Sequence, residues 1–178
     1  PSNGPNLMPD PNIMALPIHA LAENQDALLL VAQTIAMVSG WNWWTPMVQI
    51  TAAQLNSMLN GCLTQIMAKD EENVNGELNP GQMYKLYSTA VVNGVAVTGV
   101  PVSPSITIGA GSNWIGYTGE NTTDIAGALT TLLGASFTSN EDDKIISQDG
   151  GFAIYNGTTW EGTLTQLTQG QGYVYVRY

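Results

Sequence analysis

Gly40-Trp41-Asn42-Trp43-Trp44 and Gly111-Ser112-Asn113-Trp114-Ile115 are two versions of one pattern, set 71 positions apart. The same offset pairs Ile35 with Ile106 and Met37 with Ile108. A second landmark recurs downstream, where Leu78-Asn79-Pro80-Gly81-Gln82-Met83-Tyr84 aligns with Leu167-Thr168-Gln169-Gly170-Gln171-Gly172-Tyr173 at an offset of 89. Self-similarity of this kind is the mark of an internal duplication. The difference between the offsets, 89 against 71, gives the second copy 18 extra residues between its landmarks.

Each copy carries one helical pattern between the landmarks. Thr51 and Gln54 have capping-box spacing, and Leu55, Met58, Leu59, Cys62 and Leu63 follow at helical intervals, with Gly61 near the end. In the second copy Asn121 and Asp124 cap, Ile125, Ala128, Leu129, Leu132 and Leu133 repeat the stripe, and Gly134 terminates it. Leu55, Met58, Leu59, Ile125, Leu129 and Leu132 are therefore expected in the core.

The remainder reads as strands. In residues 172–178 alternate positions put Tyr173 and Tyr175 on one face and Val174 and Val176 on the other. Asn156-Gly157, between Phe152-Ala153-Ile154-Tyr155 and Thr158-Thr159-Trp160, is a hairpin signal, because Asn-Gly accepts the positive φ angles of a type I′ turn. Asn93-Gly94 within residues 91–97 gives a second such signal. The strand over residues 27–31 has no preceding hairpin to pair with, so its expected partner is the C-terminal strand, residues 173–178.

These elements predict an α+β fold: two tandem related units, each with antiparallel β-sheets and one packed helix. The divisions fall at residues 1–17, a proline-rich linker or arm with five of the nine prolines, 18–90 for the first unit and 91–178 for the second. Pro1 opens the chain and no basic segment precedes an apolar stretch, so a mature product or a fragment is expected.

Composition narrows the function. The 178 residues carry 4 Lys or Arg against 14 Asp or Glu, a net charge of −10, which repels a phosphate backbone and argues against nucleic acid as a partner. Charged residues make up 10% of the chain, while Thr, Asn and Gln number 18, 15 and 10, so neutral polar groups coat the surface, as in an extracellular protein. The apolar run over residues 27–38 is interrupted by Gln33 and Thr34 and falls short of the ~20 residues of a membrane helix, so no span is expected. One cysteine, Cys62, allows no internal disulfide, and one histidine, His19, supplies no multi-histidine metal site.

The repeated stretches resemble a repeat of secreted and cell-surface proteins of gut and other anaerobic bacteria, whose copies open like "GWNWIS" and close like "L.PGKGYMY". The stretches that carry the resemblance are residues 40–44, 111–117, 143–148, 152–155 and 160–164 and the two Gly-Gln-x-Tyr closings, within roughly residues 25–178. The resemblance implies an accessory module at the end of a large surface protein, beside adhesion-type or carbohydrate-active domains. No catalytic signature is attached to these motifs. The first copy departs from the pattern, since residues 66–78 are too short for the Phe-Ala-Ile-Tyr hairpin and its tryptophan.

Little in the chain suits catalysis. His19 sits in the junction after the arm, and Cys62 occupies an apolar stripe as a small hydrophobe. Glycoside hydrolysis needs two flanking carboxylates; Glu161, beside Trp160, and Glu77 are rough equivalents, but duplicated motifs report scaffold. The acidic runs Asp70-Glu71-Glu72 and Glu141-Asp142-Asp143, with Asp149, lack the spacing of a calcium loop. The expectation is a protein that is no enzyme and needs neither metal nor cofactor.

Aromatic residues are the better candidates, because sugar rings stack their C–H faces on flat side chains while their hydroxyls pair with amides and carboxylates. Trp43 and its equivalent Trp114 are expected in the core as repeated packing. Trp41, replaced by Ser112 in the second copy, and Tyr155 and Trp160, on a hairpin present once, are the candidate ligand contacts, with Asn156 and Glu161 as polar partners. The expected function is a non-catalytic extracellular or cell-surface module of a bacterium, binding polysaccharide or a host or cell-surface glycan. The alternative is a structural subunit or spacer of a surface filament, self-associating through residues 1–17, where Asn12-Ile13-Met14-Ala15-Leu16 can add to another molecule's sheet edge.

Overall fold

The computed structural model describes residues 30–120 and 122–178. The proline arm, His19, residues 27–29 of the expected first strand and the capping residue Asn121 lie outside them. The first elements are β1 (Val31–Met37), β2 (Gly40–Trp44), β3 (Ile50–Thr51), α1 (Ala52–Met58), β4 (Leu63–Met67), β5 (Glu77–Leu78), β6 (Tyr84–Ser88) and β7 (Val92–Gly99). There follow β8 (Gly111–Gly116), β9 (Thr122–Asp124), α2 (Ile125–Leu133), β10 (Lys144–Ser147), β11 (Phe152–Tyr155), β12 (Trp160–Gly162), β13 (Gln166–Thr168) and β14 (Gly172–Arg177). Among the described residues the fold is mostly antiparallel β with two helices, an α+β arrangement.

Strand order is β2-β6-β4 in one sheet and β12-β11-β10-β14-β8 in another, with three two-stranded pairs, β1-β7, β3-β5 and β9-β13. The two helices follow β3 and β9 directly, and local chemistry starts them. Thr51 accepts the Gln54 N–H while the Gln54 side chain returns to the Thr51 N–H, a complete capping box; Asp124 accepts the Gly127 N–H at 3.0 Å. Gly134 closes α2 at a φ of 91°, where a side chain would be strained.

Several contacts recur at the offsets 71 and 89. The Asn42 side chain closes the turn before β2 by accepting the Val38 N–H and donating to the Val38 and Gly40 carbonyls; Asn113 does the same with Gly109 and Gly111. The Tyr84 hydroxyl accepts the Asn79 N–H at 2.9 Å, and the Tyr173 hydroxyl accepts the Thr168 N–H at 2.8 Å. Contacts between the halves are reciprocal as well: Thr45 N–H donates to the Gly170 carbonyl and Gly116 N–H to the Gly81 carbonyl, while Trp44 bridges Gln171 and Ile115 bridges Gln82.

Two hydrophobic clusters form, one from Ile35 to Val97 and one from Ile115 to Tyr175. Leu55, Leu59, Ile125, Leu129 and Leu132 are buried as expected, and so are Trp44 and its counterpart Ile115. Met58 is not: α1 ends at this residue after seven residues, so Leu55 and Leu59 face the core and Met58 turns to solvent, 38% exposed. Trp43 and Trp114 are half-buried rather than core, because both lie against the Lys85 ammonium, at 4.9 and 4.4 Å from their ring centroids.

Strand pairing departs from expectation at two places. Asn93-Gly94 makes no hairpin. β7 runs through it, and the register steps from Ile35–Val95 to Met37–Val92, so Asn93 and Gly94 together face Ala36 as a bulge with Gly94 at a φ of 68°. β1 pairs with β7 and not with the C-terminal strand, since both edges of β14 are taken by β8 and β10. β7 belongs by sequence to the stretch 91–178, yet its Val92 and Val97 complete the first cluster. In β14 the tyrosine face is the inner one: Tyr173 and Tyr175 are buried, while Val174 and Val176 point outward and Tyr178 lies past the strand, exposed.

Candidate functional site

The hairpin of β11 and β12 closes through a four-residue loop, 156–159, rather than a two-residue type I′ turn. Tyr155 pairs with Trp160, the Asn156 N–H donates to the Thr159 carbonyl, and only Gly157 of the Asn-Gly pair has a positive φ. The Asn156 side chain replaces the missing turn geometry. Its oxygen accepts the N–H groups of Thr158 and Thr159 at 2.9 and 2.8 Å, and its amide donates to Glu161 Oε1 at 2.7 Å.

Because Tyr155 and Trp160 are register partners, their side chains share one face of the sheet. Their rings sit 5.5 Å apart and tilted by 48°, forming one wall of a groove of about 490 Å³. The start of α2, with Asp124 and Ile125, also lines it, as do Phe137 and Ser139. Hydroxyls ring the opening: Thr130, Thr138, Ser139, Thr158, Thr159 and Thr165 all line it. The one carboxylate among the lining residues, Asp124, is engaged as the cap of α2.

A buried polar network adjoins the aromatic wall. Asp143, fully buried, accepts from the Tyr175 hydroxyl, the Asn140 N–H and Arg177, whose guanidinium lies 3.2 Å away and also donates to the Thr138 carbonyl. Tyr175 stacks edge-on against both Trp160 and Phe137, with centroids 6.0 Å apart in each case. Burial and the hydrogen bond to Asp143 push the Tyr175 phenol well above its ordinary range.

Of the sequence candidates, Tyr155 and Trp160 meet at this groove. Asn156 and Glu161 do not line it; they bond to each other on the hairpin, where Asn156 shapes the loop. Trp41 lies elsewhere, on the outer face of the β2-β6-β4 sheet, packed edge-on against Tyr87 at 5.2 Å. Phe137 and Ser139 carry no motif, and only the return of the chain after α2 brings them to the groove. A larger cleft of about 630 Å³ lies between β1-β7 and the second half, but its one aromatic ring, Tyr173, is buried, leaving no flat surface for stacking.

Among the described residues, no group of three His, Cys, Asp or Glu side chains is arranged to hold a metal ion. No helix among them is long and apolar enough to cross a membrane. Searches against protein-family models, curated proteins and solved structures gave no match.

Proposed function

We propose that this chain is a non-catalytic binding module that takes a sugar residue of a polysaccharide or cell-surface glycan in the groove beside Tyr155 and Trp160. The observation that carries this reading is the pairing of two tilted aromatic rings with six hydroxyl side chains around one opening. The rings offer flat surface to C–H faces, and the hydroxyls exchange hydrogen bonds with sugar hydroxyls without a charge to desolvate. Glycosidase chemistry calls for two carboxylates, whereas this groove has Asp124 alone, already engaged in capping. A neutral polar coat with few charges suits an extracellular or cell-surface setting.

The scaffold reading belongs to the same proposal: two tandem related units, one ending after β7 and one built from β8 to β14, related by a local two-fold axis. The reciprocal pairs Thr45–Gly170 and Gly116–Gly81 support it, because advancing one pair by 71 and 89 positions produces the other. The hairpin that carries Tyr155 and Trp160 is then an addition to a scaffold that the first unit builds without it.

A glycan array on the chain, repeated with Tyr155→Ala and Trp160→Ala combined, tests the assignment. Retention of a glycan by the native chain, lost in a double variant that still folds, supports it. Unchanged retention moves the site elsewhere, and no retention by the native chain in the micromolar range ends the carbohydrate reading.

A further inference from the structure

Residues 137–140 give the groove Phe137, Thr138 and Ser139, yet they form neither helix nor strand. Arg177 and Asp143 fasten them. The Arg177 guanidinium donates to the Thr138 carbonyl at 2.6 Å and lies 4.9 Å from the centre of the Phe137 ring. The Asp143 carboxylate accepts the Asn140 N–H at 2.8 Å. The two side chains are joined to each other as well, since the same Asp143 oxygen, Oδ2, accepts from Arg177 Nε and Nη2 at 3.3 and 3.2 Å and from the Tyr175 hydroxyl. Both ends of the segment are thus tied to one carboxylate oxygen and its guanidinium partner.

The β scaffold can be built without this pair. In β14, Tyr175 and Arg177 stand opposite Asn113 and Gly111; in β6, Leu86 and Ser88 stand opposite Asn42 and Gly40, the equivalent places at the offsets of 89 and 71. Leu86 and Ser88 are fully buried there and carry no charge. A buried ion pair adds little to stability over well-packed neutral side chains, because desolvation offsets its Coulomb attraction. The charged version stands in the half of the chain that has the groove, and its hydrogen bonds are directed at the segment that lines it.

We propose that Arg177 and Asp143 are positioning residues of the groove, holding residues 137–140 so that Phe137, Thr138 and Ser139 are in place before a sugar residue arrives. The inference rests on the reading of the groove as a glycan site. Neither residue belongs to the lining; both act through the segment they hold, by sparing binding the entropy of ordering it. The planar guanidinium is required, because it reaches Asp143 and the Thr138 carbonyl together while lying over the Phe137 ring. A lysine ammonium, a point charge, does not reproduce that set of contacts.

Two variants test the assignment: Arg177→Lys, and Asp143→Asn combined with Arg177→Gln, which removes both charges together and leaves neither unpaired. Each full chain is measured for melting temperature, for amide hydrogen exchange by segment, and for retention on a glycan array, followed by titration with the oligosaccharide that the native chain retains best. Exchange in residues 137–140 is expected to rise about tenfold or more while α2 and β10 stay within about twofold of native, and affinity is expected to fall about tenfold or more. Unchanged exchange in residues 137–140 overturns the assignment, and so does a rise shared equally by α2 and β10, which would mark a pair serving the whole fold. Native affinity in a chain whose 137–140 segment has loosened overturns it alone and leaves the glycan reading standing. A native chain that retains no glycan ends the glycan reading and this assignment with it. Either variant decides if the other does not fold, and failure of both to fold shows a structural pair and overturns the positioning role.

Discussion

Thr45 and Gly116, 71 positions apart, occupy one another's space: a β carbon added at Gly116 lands 2.1 Å from the β carbon of Thr45. The Thr45 hydroxyl is also the acceptor for the Gly81 N–H at 3.1 Å. The residue that fills the junction is thus supplied by one half and the room for it by the other. A second such pair, Met83 and Gly172, 89 positions apart, meets the same way, with the added β carbon 2.2 Å from the methionine side chain.

Gly116→Ala is accordingly expected to lower stability by ~1–3 kcal/mol through overpacking. Thr45→Gly combined with Gly116→Ala should recover part of that loss, since the clash is relieved while the acceptor for Gly81 is gone. Urea titration of Gly116→Ala, Thr45→Gly and the double variant measures the coupling, and simple additivity of the two substitutions would contradict it.

Reciprocal backbone bonds across this junction tie the halves together, so one cooperative unfolding transition is expected. Calorimetry that resolves two transitions would show that the halves unfold independently.

The helical stripes make a contrasting pair of predictions. Leu55→Ala and Leu129→Ala remove fully packed side chains and should each cost ~2–5 kcal/mol. Met58→Ala, at an exposed position beyond the packed face, should change stability by less than ~0.5 kcal/mol. Chemical denaturation of the three variants checks the order.

Asp143 has no exposed surface and holds Tyr175, Arg177 and the Asn140 N–H together. Asp143→Ala strands the Arg177 charge and should cost ~3–5 kcal/mol. The same variant loosens the packing of Tyr175 against Trp160 and Phe137, which tryptophan fluorescence would report as a shift of the emission toward longer wavelength.

Alkaline pH should destabilise the chain through its buried tyrosines. Tyr84, Tyr173 and Tyr175 are all raised above the ordinary value of 10.0, in each case first by burial. Each folded-state value exceeds the unfolded one, so the folded chain holds more protons once the unfolded phenols ionise. The stabilisation is complete below pH 10 and is lost as pH rises above it. Melting temperatures from pH 8 to 12 should be level with respect to these groups until about pH 10 and then fall, with phenolate absorbance from the three appearing only on unfolding. Early phenolate absorbance from the folded chain would contradict the assignment.

Helix starts and the alternation of β14 were legible in the sequence because each depends on neighbours within a few residues. Thr51 with Gln54 and Asp124 with Gly127 satisfy backbone groups locally, whatever the rest of the chain does. The hairpin that carries Tyr155 and Trp160 was legible for the same reason, though not its register, because the Asn156 side chain spreads the turn over four residues. Tertiary structure decided what depends on distant partners. Asn93-Gly94 is as good a hairpin signal as any, yet the free backbone of β1 holds it in a bulged strand. Trp43 and Trp114 were each expected in the core, but both lie half-buried against the Lys85 ammonium. Phe137 and Ser139 reach the groove only because the chain returns past α2. Local hydrogen bonds determine where elements begin and turn; which edge pairs, and which face is covered, is settled by the distant surface that buries it.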